Sequence, residues 1–149
     1  MADVGLDVQW ILPSVSTRSG LVDFVAEAND AGIDYLGVGD HISFRNGAGF
    51  DGLINASAIL ACSQVTRVHV GAYLLPARHP VLVARQLATI AALALGRISI
   101  AFGVGGEDRN EMSMAGVDPA TRGSRTDEAL SIVRELLRGE PLSYSGVHF

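Results

Sequence analysis

Two spacings of apolar residues alternate along this chain. Short runs with strand character are separated by stretches in which apolar positions recur every three or four residues. Leu6 to Leu12 is the first strand candidate and closes at Pro13. A polar loop, Ser14 to Ser19, precedes a helix to about Ala31. Leu21, Phe24, Val25 and Ala28 lie on one face of that helix, and Gly32 is placed to end it. Tyr35 to Gly39 is apolar along its length, the pattern of a strand covered on both faces. It stops at two titratable side chains, Asp40 and His41.

Asp40 to Gly52 reads as a polar, glycine-bearing loop, with Asp51 placed to cap a helix over Gly52 to Gln64. Val68 to Leu75 is the third strand, ended by Pro76. Pro80 suits the first turn of a third helix, whose stripe is Val83, Leu87, Ile90, Ala91 and Ala94. Gly96 ends it, and Ile98 to Phe102 is the fourth strand. The glycine-rich, acidic loop Gly103 to Asp108 follows, then a short helix over Glu111 to Ala115. Thr126 to Arg138 is a long helix expected to bury Leu130, Val133 and Leu137, with Gly139 past its end. Pro141 to Phe149 reads as a small hairpin turning at Ser145-Gly146. Four strand–helix repeats of about thirty residues each call for a parallel sheet with right-handed crossovers. Either an open doubly wound sheet or half of an eight-stranded barrel fits.

Composition narrows the function. At 149 residues the chain is one domain by size. A net charge of -5 argues against a nucleic-acid partner, which calls for a basic face. No apolar run is long enough to cross a bilayer and no basic, then apolar, leader opens the chain, so a soluble, cytoplasmic protein is expected. All eleven basic residues are arginine, which excludes lysine Schiff-base chemistry within the chain. The lone Cys62, in an Ala-rich helical run, is expected to be an inert buried thiol, and a zinc site built on cysteines is excluded.

Several runs, in their order and spacing, carry a family resemblance. They are Gly39-Asp40-His41; His79 to Ile90 followed by Leu95-Gly96-Arg97-Ile98; Gly103-Val104-Gly105-Gly106-Glu107; Asn110-Glu111; Gly116-Val117-Asp118; and Arg122 to Arg125 leading into Asp127-Glu128. From about Gly5 to Phe149 the chain resembles the luciferase-like monooxygenase superfamily of flavin- and deazaflavin-dependent oxidoreductases. The resemblance implies an α/β fold, the N-terminal half of a (β/α)8 TIM barrel. That half comprises four parallel strands with alternating helices plus a terminal hairpin, in one partial luciferase-like domain over residues 1–149. Ala101 stands where many members have the first glycine of a Gly-x-Gly-x-Gly loop.

The resemblance also implies hydride chemistry on a small organic substrate, with the deazaflavin coenzyme F-420 or reduced FMN at the C-terminal mouth of the barrel. By it, Asp40 and His41 are expected to meet cofactor and substrate. A strand-three bulge with a non-proline cis peptide is expected behind the ring, within Gly71-Ala72-Tyr73-Leu74 and assigned to Tyr73-Leu74. Ala72, Tyr73, Leu74, Gly103, Gly105, Gly106 and Glu107 are the further cofactor contacts. Either Glu107 or Glu111 takes the place of the loop acid; Glu111 is the candidate counted with Asp40 and His41 as catalytic.

From the residues themselves, a histidine with a pKa near 6.5 suits it to take or return a proton. The competing reading makes Asp40 a turn cap and His41 a loop residue. No helical ligand spacing joins His41, His69 and His79, and no metal site is expected. His69 is expected to point out of strand three. Arg78 and His79 read as solvated surface, Arg122 and Arg125 as ion-pair partners of Asp127 or Glu128, and Trp10 as core or pocket wall. Barrels commonly build their phosphate site after strands seven and eight, which this chain lacks, and its sheet has unpaired edges. The favoured expectation is a partial gene product with little activity alone. The alternatives are a non-catalytic half-barrel that pairs as a homodimer, and a metal-dependent barrel hydrolase.

Overall fold

Parallel strands need a long connection between them, and here each connection contains a helix. The computed structural model describes residues 3–8, 17–43, 49–106 and 108–149. In chain order the elements are β1 (Gly5–Asp7), α1 (Arg18–Asp30), β2 (Tyr35–Val38), α2 (Gly52–Cys62), β3 (Arg67–Leu74), α3 (Pro80–Leu93), β4 (Ile98–Gly103), α4 (Arg109–Met114) and α5 (Arg122–Arg138). Short 3-10 turns at Leu75–Ala77 and Pro119–Thr121 lead out of β3 and into α5. All strand pairs are parallel, and the sheet order is β1-β2-β3-β4. A doubly wound sheet reverses its strand order at a switch point. This sheet does not: sequential strands are always neighbours, as in half of a (β/α)8 barrel.

The two faces of the sheet differ. Leu36, Val38, Val68 and Val70 are at most 1% exposed. They share a core with Leu53, Ala56 and Ile59 of α2 and Val83, Leu87 and Ile90 of α3. On the other face the register aligns Asp7, Gly37, His69 and Ser99 in one row, and Gly71 with Ala101 in the next. His69 points out onto this face, its Nδ1 2.9 Å from the Ser99 hydroxyl. Strand alternation therefore sends the bulky apolar residues toward the helices and leaves small or polar ones on the barrel side.

Most helix termini follow the expected chemistry. The Thr17 hydroxyl accepts from Gly20 N–H, and Asp51 accepts from Leu53 and Ile54 N–H. Pro80 opens α3, and Gly139 follows α5 in the left-handed conformation. Several expectations need correction. The peptide bond between Gly71 and Ala72, not Tyr73-Leu74, is cis. The register explains the location: Ala72 is the extra residue of a bulge, whereas Tyr73 and Leu74 pair with Phe102 and Gly103. Helix α5 starts a turn early, at Arg122, and buries Thr126, Ala129 and Ile132 beside the expected Val133, with Leu130 partly buried against the same core. Leu137 is 47% exposed; the small Ala129 lets α5 approach closely on the buried face.

The terminal segment reverses later than expected. Gly146 N–H donates to Phe149 C=O at 2.9 Å, so the chain turns through Val147-His148, without a strand ladder among the described residues. Cys62 is half-buried, and its thiol donates to Ala58 C=O. The expected β1 beyond Val8, with Trp10, lies outside the described residues, as does Glu107. Among the described residues no helix is long and apolar enough to cross a membrane.

Candidate active site

The C-terminal ends of β2 and β3 and the start of α2 converge on one carboxylate. Asp40 follows β2 and is 2% exposed. Its Oδ1 accepts from Gly52 N–H at 2.7 Å and Arg78 Nη2 at 2.8 Å. Its Oδ2 accepts from Leu74 N–H at 2.8 Å and Arg78 Nη1 at 2.7 Å. Four donors thus occupy the roughly four acceptor sites of an ionised carboxylate. Arg78 also reaches Asp51 Oδ2 at 2.9 Å and Leu74 C=O at 3.1 Å, and lies 4.3 Å above the Tyr73 ring.

Arg78 was expected at the solvated surface; its side chain is only 16% exposed. The 3-10 turn after β3 swings it back under the mouth. Although burial works against its charge, the Asp40 carboxylate first, then Tyr73 and the hydrogen bonds to Asp51 and Asp40, hold the guanidinium pKa above its usual range. Tyr73 is itself core, 1% exposed and edge-on to Phe102. Burial pushes its hydroxyl pKa up, the Arg78 charge pulling the other way.

His41 stands one residue further on. Its N–H donates to Phe50 C=O at 3.0 Å, which with the Asp40–Gly52 bond closes the neck of the loop after β2. Gly49 has φ +90°, and a Cβ there would sit 2.8 Å from His41 Cδ2, so the imidazole packs directly on backbone. Nδ1 lies 3.4 Å and 3.5 Å from Oε1 and Oε2 of Glu111. Glu111 is 4% exposed and accepts from Ile42 N–H at 2.8 Å and Ser43 N–H at 3.3 Å.

Packing places Glu111. The next residue, Met112, is 1% exposed and docks with Val117 on Leu74 of β3. Helix α4 is thereby seated beside β3, with Glu111 directed at the loop after β2. Glu111 meets His41; Glu107 lies outside the described residues.

Toward the ends of β3 and β4, Ala72 carries a small side chain and Gly103 none. Ala72 is exposed, and a Cβ on Gly103 would fall 2.8 Å from the Ala72 Cβ. Gly105 follows with φ +68°, its carbonyl accepting from Arg122 Nε at 3.1 Å. The structure thus pairs His41 with Glu111, and Ala72 with the backbone of Gly103, at the C-terminal ends of neighbouring strands, while the Tyr73 and Leu74 side chains are buried. Arg122 and Arg125 do not pair with Asp127 or Glu128. Arg122 also donates to Pro119 C=O, and Arg125 donates to Pro76 C=O and stacks on Phe149. His79 is exposed and meets the same Phe149 ring edge-on. Among the described residues no group of three or more His, Cys, Asp or Glu could hold a metal ion. A cavity of about 330 Å³ lined by Tyr35, Arg67, His69 and Arg97 lies toward the N-terminal ends of the strands, away from the end where barrels carry chemistry.

Arg78 is the residue that sequence reasoning missed. It sits 38 positions from Asp40, and nothing in its local pattern distinguishes a buried fork from a solvated arginine.

Residues 8–149 match the family described as luciferase-like monooxygenase. The chain is 30% identical over 140 residues to an F-420-dependent glucose-6-phosphate dehydrogenase of Beutenbergia cavernae, covering 87% of this chain and 40% of that protein. It is 27% identical over 137 residues to the enzyme of the same name from Kineococcus radiotolerans, again 87% and 40%. Among solved structures, the oxygenating constituent of 3,6-diketocamphane monooxygenase from Pseudomonas putida, in complex with FMN, superposes with a TM-score of 0.84 at 21% identity. That match covers 99% of this chain and 42% of that one. The F-420-dependent tetrahydromethanopterin reductase of Methanopyrus kandleri gives 0.64 at 21%, covering 97% and 43%. The chain therefore spans about two fifths of the length of these proteins, and it belongs to the luciferase-like monooxygenase family.

Proposed function

We propose that this chain is a single luciferase-like unit over residues 1–149 that supplies the strand-two-to-four wall of an oxidoreductase site. The cofactor is the deazaflavin coenzyme F-420 in preference to FMN, and the substrate is a small organic molecule. The observation that carries the reading is the His41–Glu111 pair, set at the C-terminal ends of the strands, as are the small residues Ala72 and Gly103.

These small residues suit a planar ring: a Cβ at Gly103 would crowd Ala72, so the surface stays flat. Ala72 and the backbone of Gly103, Gly105 and Gly106 would hold the ring. The cofactor would supply the hydride acceptor or donor. This chain's own part is proton handling and placement. Glu111 faces Nδ1 and fixes the imidazole's orientation, so Nε2 is the atom that takes a proton as hydride departs and returns it in the reverse direction. Asp40, with its acceptor sites occupied, serves by anchoring the loop that carries His41. The preference for F-420 draws on the F-420-dependent relatives and on this proton-handling pair.

The experiment is titration of the chain with F-420 and with FMN, followed by absorbance. A saturable spectral change, tighter for F-420 and weakened by His41→Ala, is expected. No change with either cofactor would remove the reading. The open row Asp7, Gly37, His69 and Ser99 favours a second reading, a half-barrel closed by a second copy. A stable dimer in sedimentation that binds neither cofactor would favour it.

A further inference from the structure

We infer that Arg78 is a positioning residue for this site: through the Asp40 carboxylate it sets where His41 stands. The inference rests on the reading of His41 as the proton-handling group. Arg78 approaches no nearer to the reaction than Asp40, so its effect passes through that carboxylate.

The geometry is a fork closed on two sides. Both terminal nitrogens of Arg78 engage Asp40, at 2.7 and 2.8 Å, one per oxygen. Such bidentate pairing fixes the plane of the carboxylate as well as its position. The same oxygens take Leu74 N–H at the bulged end of β3 and Gly52 N–H at the start of α2. Arg78 is in turn held by Asp51, the α2 cap residue, and by the Tyr73 ring face. One guanidinium therefore ties together the end of β2, the end of β3 and the N-terminus of α2. His41 is the residue next to that knot. Its N–H bond to Phe50, the residue before Asp51, depends on the same neck.

A lysine at 78 would keep one positive charge beside Asp40. It has no planar fork to engage both oxygens and Asp51 together. That difference separates positioning from mere charge balance. The test uses the full chain with 15N-labelled histidine, comparing wild type, Arg78→Lys, Asp40→Asn and the double variant. Ring-nitrogen shifts of His41 report tautomer and orientation, and methyl signals of Ile59 and Val133 report the distant core. The expected result is one dominant tautomer, protonated at Nδ1 toward Glu111, in wild type. Each single variant should lose that pattern toward averaged shifts while the core signals stay. The double variant should go no further than either single, because both act through one carboxylate.

Unchanged His41 shifts in a folded variant, or losses that add in the double, would overturn the inference. So would collapse of the core signals in all three variants, which would assign the knot to the fold alone. No cofactor is present in this experiment, so its outcome and that of the cofactor titration are independent.

Discussion

Glu111 and His41 lie 70 positions apart in sequence, and the carboxylate of one closes on the imidazole Nδ1 of the other at 3.4 Å. The same carboxylate receives the N–H groups of Ile42 and Ser43, so Glu111 orients the ring and staples the loop behind it. Glu111→Ala leaves those two N–H groups without their acceptor. Hydrogen bonds to a charged group contribute about 1.5–3 kcal/mol each. A loss of about 2–4 kcal/mol in urea unfolding is expected, with Glu111→Gln costing about half as much. A loss in Glu111→Ala no larger than that of an exposed alanine substitution would show that the staple is weak.

Arg78 and Asp40 form a second, more buried pair. Removing one partner of a buried ion pair costs about 3–5 kcal/mol, because the other charge is left uncompensated. Arg78→Met is expected to lose that much in chemical denaturation. Asp51→Ala, which removes a partly exposed cap and one arm of the fork, should cost about 1 kcal/mol. Equal losses in the two variants would argue against the asymmetry.

Gly49 tests how tightly His41 is packed. Alanine there must adopt φ +90° and place its Cβ 2.8 Å from the imidazole. The left-handed backbone alone costs about 1–2 kcal/mol. Gly49→Ala is expected to displace the ring, seen as a change in the His41 shifts larger than in Gly106→Ala, where a Cβ meets nothing within 4 Å.

Acid should release the terminal turn. The Glu128 carboxylate accepts from Val147 N–H at 3.1 Å and His148 N–H at 3.0 Å, and the His148 Nε2 lies 2.9 Å from the Ser124 hydroxyl. The His148 amide first, and those of Val147 and Phe149 with it, hold the Glu128 pKa below the usual glutamate range although burial opposes them. A depressed folded pKa means the clasp is complete above the ordinary value, about 4.3, and is lost as pH falls through the folded one. Protection of the Val147 and His148 amides, taken relative to the intrinsic exchange rate at each pH, should fall at acid pH. Glu128→Gln should show fast exchange at every pH; slow exchange in that variant would remove Glu128 from the clasp.

Much of the fold was legible because local rules and global packing agree. The unbroken apolar run of Tyr35–Val38, the Asp51 cap and Pro80 at the head of α3 each point to the element that forms. The exceptions share a cause. Helix α5 packs its Ala129 face because close approach to α3 outweighs burying the larger Leu137 side chain. The bulge places Ala72, not Tyr73, out of register, a choice made by pairing with β4. In the site, Asp40, His41 and Glu111 could be singled out as residues that end strands or open helices. Their partners could not. The fork of Arg78 on Asp40 and the choice of Glu111 to face His41 depend on how a turn and a short helix dock, which no spacing encodes.

The most direct test of the proposed oxidoreductase site follows backbone and imidazole NMR signals of the full chain as F-420 and FMN are added separately. Shift changes are expected to centre on His41, Ala72, Gly103, Gly105 and Gly106, larger at equal concentration for F-420, and reduced in Glu111→Gln. Shifts confined to the N-terminal ends of the strands, or none at these residues with either cofactor, would contradict the proposed site.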